Sequence, residues 1–413
     1  MSQADSRSVP PLKVHPDATR KVRHPGTANN STWAAESLLQ RDFERILLIK
    51  PSALGDVIHT IPVLVKLRAR YPRARIDWLL TPENAEIVRP HPALSNALLF
   101  PRRRLSANRF IRLLMQLRQP AYDLVIDLHG QLRSAFFALI SGAPVRIGFE
   151  RPDPHKRSAM RHGWTGAREG SWLAYTHRIG IPTLDVHAID RYLWLGNLLG
   201  FDENEPDAAI YIPTEAKKKI DAWLGRTQPP SRPLAVLVPG TIWETKHWLA
   251  SRFAEVALGL QSEGFLVALA GVVRDRARCQ LITSVAPDAL DLCGKTSSAD
   301  LAALIQRATI CVTNDSGSMH LAVALNRPVV SVFGPTNPVH IGPYGYPESV
   351  VRLGLECSPC NLRKLRQCPH DQACLRGISS AMVLERVWQL LGREATSTVA
   401  TSPESDKIAA RFR

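Results

Sequence analysis

The stretch Thr309-Ile-Cys-Val-Thr-Asn-Asp-Ser-Gly-Ser-Met-His-Leu-Ala-Val-Ala-Leu325 changes character halfway along. Its first residues, up to Val312, read as a buried strand, and Leu321 to Leu325 read as an apolar helix. Between them lies a polar turn holding Asp315, Ser316, Gly317 and His320. A strand that runs through a small-residue turn into a helix aims backbone N–H groups and the positive helix end at one spot. An anion, above all a phosphate, is stabilised there. The unit therefore predicts an α/β chain that handles a phosphorylated ligand.

Working outward, the same strand–turn–helix unit recurs on both sides. Arg45-Ile-Leu-Leu-Ile-Lys50 reads as a strand, Pro51 to Asp56 as a turn, and about Val57 to Arg70 as a helix. Further strands are expected at Ile76–Leu80, Ala97–Phe100 and Asp123–Asp127, with a helix over 107–118. After Gly200 the pattern restarts. Pro229–Pro233 leads into strands at Leu234–Val238, Phe265–Ala270, Ala289–Leu292, Thr309–Val312 and Pro328–Phe333. Strands alternating with helices imply parallel sheets covered on both faces. The expected architecture is two doubly wound, Rossmann-like halves, residues 45–200 and 201–395, facing a central cleft. Residues 1–40 and 396–413 lack periodicity and are expected to be a disordered leader and tail.

At 413 residues the chain exceeds one ordinary core, which supports two domains. No run of 18 apolar residues and no apolar h-region occurs, so a cytoplasmic chain is expected. The net charge is uneven. Residues 45–200 carry 23 Lys/Arg against 11 Asp/Glu, a net of +12, whereas residues 201–395 carry 20 against 19. A basic half beside a neutral half points to an anionic partner such as a membrane surface or polyanion, with plain solubility as the open alternative.

Ligands in such sheets sit beyond the carboxyl ends of the strands, so three polar turns are brought to one cleft. In the first, Gly55 permits close backbone approach, and Asp56 reads either as a helix cap or as a general base. The two are compatible only in part, because a hydrogen-bonded carboxylate is a weaker base. In the second, Pro239-Gly-Thr-Ile-Trp-Glu-Thr-Lys-His-Trp248, the hydroxyls of Thr241 and Thr245 and the ammonium of Lys246 suit a diphosphate held without metal. The third is the opening turn, where His320 stands four residues after Ser316.

Together these turns resemble the lipopolysaccharide heptosyltransferase family, glycosyltransferase family 9. The resemblance is carried by Ile49-Lys-Pro-Ser-Ala-Leu-Gly-Asp-Val-Ile-His59, by Pro239-Gly-Thr with Lys246-His-Trp248, and by Thr313-Asn-Asp-Ser-Gly-Ser-Met-His320. Gly334-Pro-Thr-Asn-Pro338 and Ile341-Gly-Pro-Tyr-Gly345 are similar too, over a span of about 45–392. His187-Ala-Ile-Asp-Arg191 and Lys246-His-Trp248 lean toward members that add the first heptose to Kdo.

The resemblance implies a GT-B fold and inverting transfer of a sugar, typically from ADP-L-glycero-D-manno-heptose, with no cofactor or metal required. Carried over motif by motif, Asp56 is the base that deprotonates the acceptor hydroxyl. Thr241, Lys246, Ser316 and Gly317 hold the pyrophosphate, and Asp315 and His320 lie near the donor sugar. Asp275 falls where the family has an acidic residue on the ribose. Thr296 falls near the adenine, although Lys295-Thr-Ser-Ser298 departs from the family wording.

The acceptor implied is Kdo–lipid A or the lipopolysaccharide inner core, with peripheral contact to the cytoplasmic face of the inner membrane and no nucleic acid. Arg133, Arg102 and Arg104 are the acceptor-side candidates, with Arg103, Arg146, Arg151, Lys156, Arg157 and Arg161 adding to the basic half. The helix around Asn108–Arg118 is amphipathic and is read as core-packed, with a membrane-resting helix as the alternative. Four of the seven cysteines, Cys357, Cys360, Cys368 and Cys374, have spacings that fit a structural zinc or disulfides, the latter disfavoured in a cytoplasmic chain. Two other functions stay open: a family member using a different nucleotide-sugar donor, and a nucleotide-sugar epimerase on the same fold. A third, non-catalytic sugar-nucleotide binding, is separated by whether Asp56→Asn abolishes turnover.

Overall fold

The computed structural model describes residues 38–101, 106–152, 164–202, 207–225 and 232–393. The expected leader, apart from its last residues, and the whole expected tail lie outside them, as do Arg102, Arg103, Arg104, Lys156, Arg157 and Arg161. Leu38, which the sequence reading assigned to the leader, is buried in the core.

The described chain builds two six-stranded sheets. The first contains β1 (Arg45–Ile49), β2 (Arg75–Leu80), β3 (Asn96–Leu99), β4 (Leu124–Asp127), β5 (Val145–Phe149) and β6 (His177–Ile179), in the order 3-2-1-4-5-6. The second contains β7 (Leu234–Val238), β8 (Leu266–Leu269), β9 (Leu290–Asp291), β10 (Ile310–Asn314), β11 (Val329–Phe333) and β12 (Val350–Arg352), in the order 12-11-10-7-8-9. Counted from its own first strand, the second sheet repeats the order of the first. Every strand pairing is parallel. Two doubly wound α/β domains result.

Parallel strands buried on both faces read as near-continuous apolar runs, and β7, β10 and β11 are buried throughout. The pleat sends alternate residues to opposite cores. Ile46 and Leu48 join one cluster while Leu47 and Ile49 join another; Val236 and Val238 likewise part from Ala235 and Leu237. The cluster holding Ile46 and Leu48 also holds Val236, Met319 and Leu321, so apolar packing is continuous from one domain to the other.

In such a sheet the strand order reverses direction at one point, and the crevice opens there. These points are the β1–β4 boundary in the first sheet and the β7–β10 boundary in the second. The turns after β1, β7 and β10 carry the three sequence motifs.

Several local readings change. The first helix spans Leu54–Arg70, so Gly55 and Asp56 belong to its opening turn rather than to the preceding loop. Asp56 drives this, since from the third helical position its Oδ2 accepts the Ala53 N–H at 3.2 Å. The helix Ala107–Arg118 buries only Leu113 and Leu117, leaving Ile111 and Met115 exposed. The strands β5, β6 and β12 and the helices Pro82–Val88 and Leu132–Ile140 were not read from the sequence.

Candidate active site

On the N-terminal side, Lys50 leaves β1 and turns back into the sheet end, its Nζ donating to the Leu128 carbonyl at 3.1 Å. The same ammonium lies 3.5 Å from Asp56 Oδ1 and 4.9 Å from the centre of the Tyr192 ring. Tyr192 donates its hydroxyl to Asp56 Oδ1 at 3.1 Å. Asp56 is thus oriented by three groups yet keeps 44% of its side chain accessible, open to the cleft.

Burial pushes the Asp56 carboxyl up, but the Lys50 ammonium, the Ala53 N–H, His129 and the Tyr192 hydroxyl outweigh it. The net effect holds it below the usual carboxylate range. For Lys50, burial favours the neutral amine, and Asp56 and Tyr192 more than restore the charge, so its pKa is raised. At neutral pH the pair is a carboxylate beside an ammonium. Beneath them Asp127, at the end of β4, accepts the His129 and Gly130 N–H groups and the Tyr175 hydroxyl, and burial raises its pKa.

On the C-terminal side the turn after β10 is held by hydrogen bonds from its neighbours. Asn314 Nδ2 donates to the Pro239 carbonyl at 2.8 Å, and Asn314 Oδ1 accepts the Trp248 N–H at 3.0 Å. Thr241 donates its hydroxyl to the Asp315 carbonyl at 3.0 Å. Lys246 Nζ and Asp315 Oδ2 form a 2.7 Å ion pair with 10% and 4% of their side chains exposed, and Thr336 donates to the same Oδ2. Lys246 also stands 4.3 Å from the centre of the Trp243 ring, which Arg363 approaches to 4.7 Å. The Ser316 hydroxyl bonds Ser318 at 2.6 Å ahead of the helix Gly317–Ala324.

The two sides meet at His320. Its Nδ1 lies 2.9 Å from His59 Nε2, and its ring fits under Gly55. Burial pushes its pKa down to about 4, while Asp315 and Asp56 both act on it in the opposite sense. It therefore sits neutral between the two carboxylates, packed against the first helix rather than free in an open cleft. A second seam joins two of the motif segments. His187 Nε2 lies 3.1 Å from the Gly342 carbonyl, and Tyr344 donates to Asp190 at 2.6 Å.

Asp275 is buried behind Gly240 and accepts the Val272 N–H at 3.0 Å. Thr296 is half-buried in the turn after β9, ahead of a helix whose Ser298 bonds Glu83 and Glu86 of the other domain. Arg133 is exposed on the first turn of the helix Leu132–Ile140, 5.8 Å from the Phe100 ring centre. Arg191, absent from the sequence-derived candidates, is 4% exposed over the Trp164 ring and keeps an unpartnered Nε. Lys50, Tyr192, His59, Thr336, Trp243 and Arg363 were also missed as site residues. Lys50, His59, Arg191, Trp243 and Thr336 stand inside the family motifs, but nothing in sequence announces that Tyr192, 136 residues on, closes over Asp56.

The cysteine loop buttresses the donor-side turns: Thr245 donates to the Leu362 carbonyl at 2.5 Å, and the Cys360 and Asn361 N–H groups to the Pro335 carbonyl. Cys374 is buried beneath Gly334. Burial, with Cys360, Cys357 and Cys368 gathered nearby, pushes the Cys374 thiol up to about 11. Among the described residues Cys279, Asp291 and Cys293, behind Gly271, bring their ligand atoms within 4.8 Å of one another.

A family model described as glycosyltransferase family 9 (heptosyltransferase) matches residues 110–370. The chain is 32% identical to lipopolysaccharide heptosyltransferase 1 of Pseudomonas aeruginosa, over 76% of this chain and 86% of that protein. It is 26% identical to lipopolysaccharide heptosyltransferase 2 of Escherichia coli K12, over 75% and 88%. Among solved structures, E. coli ADP-heptose LPS heptosyltransferase II superposes with a TM-score of 0.63 at 25% identity, covering 84% of this chain and 98% of that one. An E. coli heptosyltransferase solved with ADP-2-deoxy-2-fluoro heptose shares the fold, with a TM-score of 0.62 at 24% identity over 84% and 99%.

Proposed function

The chain belongs to glycosyltransferase family 9, the heptosyltransferases, and from that premise we propose that it transfers a heptose from ADP-L-glycero-D-manno-heptose to the Kdo region of the lipopolysaccharide inner core, with inversion. One observation carries the reading: an ionised, partly open Asp56 at one sheet's switch point and Lys246 with Asp315 at the other's, on either side of His320.

Inversion needs the acceptor oxygen to attack opposite the departing nucleotide, with a base on the acceptor side. Asp56 is ionised and takes the acceptor hydroxyl proton as the new C–O bond forms. The bond from the sugar to the β-phosphate breaks, and ADP leaves with the electron pair. The growing negative charge meets the Lys246 ammonium and the N–H groups opening the helix at Gly317, with the hydroxyls of Thr241 and Ser316 beside them. Lys246 is shared with Asp315 before the donor binds, so the diphosphate competes for an ammonium already in place. Asp275 and Thr296, on the turns after β8 and β9, are assigned to the nucleoside end.

Arg133 and the buried Arg191 are assigned to the acceptor's phosphates and carboxylates, as are Arg102 and Arg104, which lie outside the described residues. A lipid-linked acceptor implies work at the cytoplasmic face of the inner membrane. No helix among the described residues is long and apolar enough to cross a membrane, so the contact is peripheral in this reading.

The test is ADP release by the purified chain given ADP-heptose, with and without Kdo–lipid A. Transfer requires acceptor-dependent release. Release at the same rate without acceptor would favour hydrolysis, conversion of ADP-heptose to another ADP-sugar without ADP release would favour epimerisation, and release only with another nucleotide sugar would reassign the donor.

A further inference from the structure

The basic half of the chain carries an apolar surface that the active site does not use. On the helix Ala107–Arg118, Ile111 is 49% and Met115 54% exposed. On the helix Leu132–Ile140, Leu132, Phe136 and Leu139 are 60%, 40% and 51% exposed, at the spacing of one helix face. Phe110 and Phe136 stack across the two helices with ring centres 6.5 Å apart. The short turn Ser171–Ala174 packs against the second helix and presents Leu173, 79% exposed. Isolated exposed apolar residues are ordinary, but a face shared by three neighbouring elements marks an interaction surface.

Positive charge predominates around this face. Arg109, Arg112, Arg118 and Arg133 are exposed on the same two helices. No Asp or Glu occurs between Glu86 and Asp123, or between Asp127 and Glu150. Glu169, the nearby acid, accepts the Leu132 N–H at 3.1 Å. Apolar side chains ringed by arginines suit the interface of an anionic bilayer, where the side chains enter the headgroup–acyl boundary and the guanidinium groups meet phosphates. A soluble protein partner would not require so one-sided a charge. The face is also continuous with the site. Its second helix starts just after His129 and Gly130, whose N–H groups bond Asp127 at the end of β4, and His129 acts electrostatically on Asp56.

We propose that the outer face of helices Ala107–Arg118 and Leu132–Ile140, with Leu173, docks the protein onto an anionic phospholipid bilayer and sets the Asp56 side of the cleft at the headgroup level. This rests on the acceptor reading above and adds the surface by which a lipid-embedded acceptor is met.

The experiment is co-sedimentation of the full chain with vesicles free of any glycolipid acceptor, of phosphatidylglycerol–phosphatidylethanolamine or of phosphatidylcholine alone. The expected result is binding to the anionic vesicles, weakened about tenfold by Met115→Asp with Leu139→Asp, by Leu173→Asp alone, and by Arg109→Gln with Arg112→Gln. Light scattering over rising protein concentration runs alongside, and melting temperatures confirm that each variant folds. Turnover of a short water-soluble Kdo acceptor is expected to be unchanged in all three, while turnover of acceptor embedded in vesicles falls. Binding that is insensitive to all three variants, or a dimer that the same variants dissociate, would overturn the proposal. Loss of turnover on the soluble acceptor in the unmodified protein would instead count against the transferase reading.

Discussion

Gly317 packs directly against Gly55: a Cβ built on Gly317 would lie 3.1 Å from the Gly55 nitrogen, and one built on Gly55 would lie 2.5 Å from Cδ2 of His320. Two helix N-termini, one from each domain, therefore meet at a point where neither can carry a side chain. The obstacles are a buried ring, the Cβ of Leu54 at 2.8 Å from the Gly317 position and a backbone atom, none of them a flexible side-chain end. Gly55→Ala is expected to force the helices apart, costing about 1–3 kcal/mol as overpacking does. Thermal unfolding together with transfer rate checks it; a variant as stable and active as the parent would mean that the junction has slack.

The buried histidines at this junction give a pH signature. Burial holds His59 well below the usual imidazole range, His187 at about 3 and, against the pull of Asp315 and Asp56, His320 at about 4. The unfolded chain then takes up more protons than the folded one as the pH drops below about 6.5. Stability is complete above that value and is lost on the way down toward the folded values, at up to about 1.4 kcal/mol per pH unit for each group. Urea titrations at pH 7.5 and 5.5 should show the loss, and His59→Asn should make it shallower. Equal stability at both pH values would show that these rings are not held neutral.

Lys246 and Asp315 differ in what their loss leaves behind. Lys246→Met strands a carboxylate with 4% exposure, and breaking a buried pair this way costs about 3–5 kcal/mol. Asp315→Asn keeps an oxygen for the Thr336 hydroxyl and releases the Lys246 ammonium, so a smaller loss of stability is expected. Calorimetric titration with ADP separates the roles: affinity should fall in Lys246→Met and hold or rise in Asp315→Asn. Tighter ADP binding without Lys246 would remove it from the donor site.

Tyr192→Phe deletes one hydroxyl and nothing else. Hydrogen bonds to charged groups are worth about 1.5–3 kcal/mol, which corresponds to roughly ten- to a hundredfold in rate if the loss falls on the transition state. Because this hydroxyl helps to hold the Asp56 carboxyl down, its removal raises that pKa. The acid limb of the kcat/KM profile should therefore move to higher pH, and an unmoved limb would detach Tyr192 from the base.

The strands and the order of the motifs were legible because parallel strands demand apolar runs, and Arg45–Ile49, Leu234–Val238 and Val329–Phe333 are such runs. The three turns could be assigned to one cleft because each follows such a strand. What joins them across the cleft was not legible. His59 and His320 are 261 residues apart, Asp56 and Tyr192 are 136 apart, and no periodicity records such distances. The start of the first helix was misplaced because the residue that caps it stands inside it. The helix Ala107–Arg118 is core-packed as its pattern implies, through Leu113 and Leu117 with Phe110 and Leu114 against them, but that the further apolar residues Ile111 and Met115 face solvent was not legible.

The central claim is that Asp56 removes the acceptor proton while the opposite wall holds the nucleotide. Asp56→Asn keeps the size of the side chain and an oxygen for Tyr192 but cannot accept that proton. Single-turnover transfer from ADP-heptose to a Kdo acceptor, measured beside ADP affinity in the same variant, tests the claim most directly. Transfer slowed by about 100- to 10,000-fold with ADP affinity unchanged is the expected result. Transfer at the parental rate, or an equal loss of nucleotide binding, would contradict it.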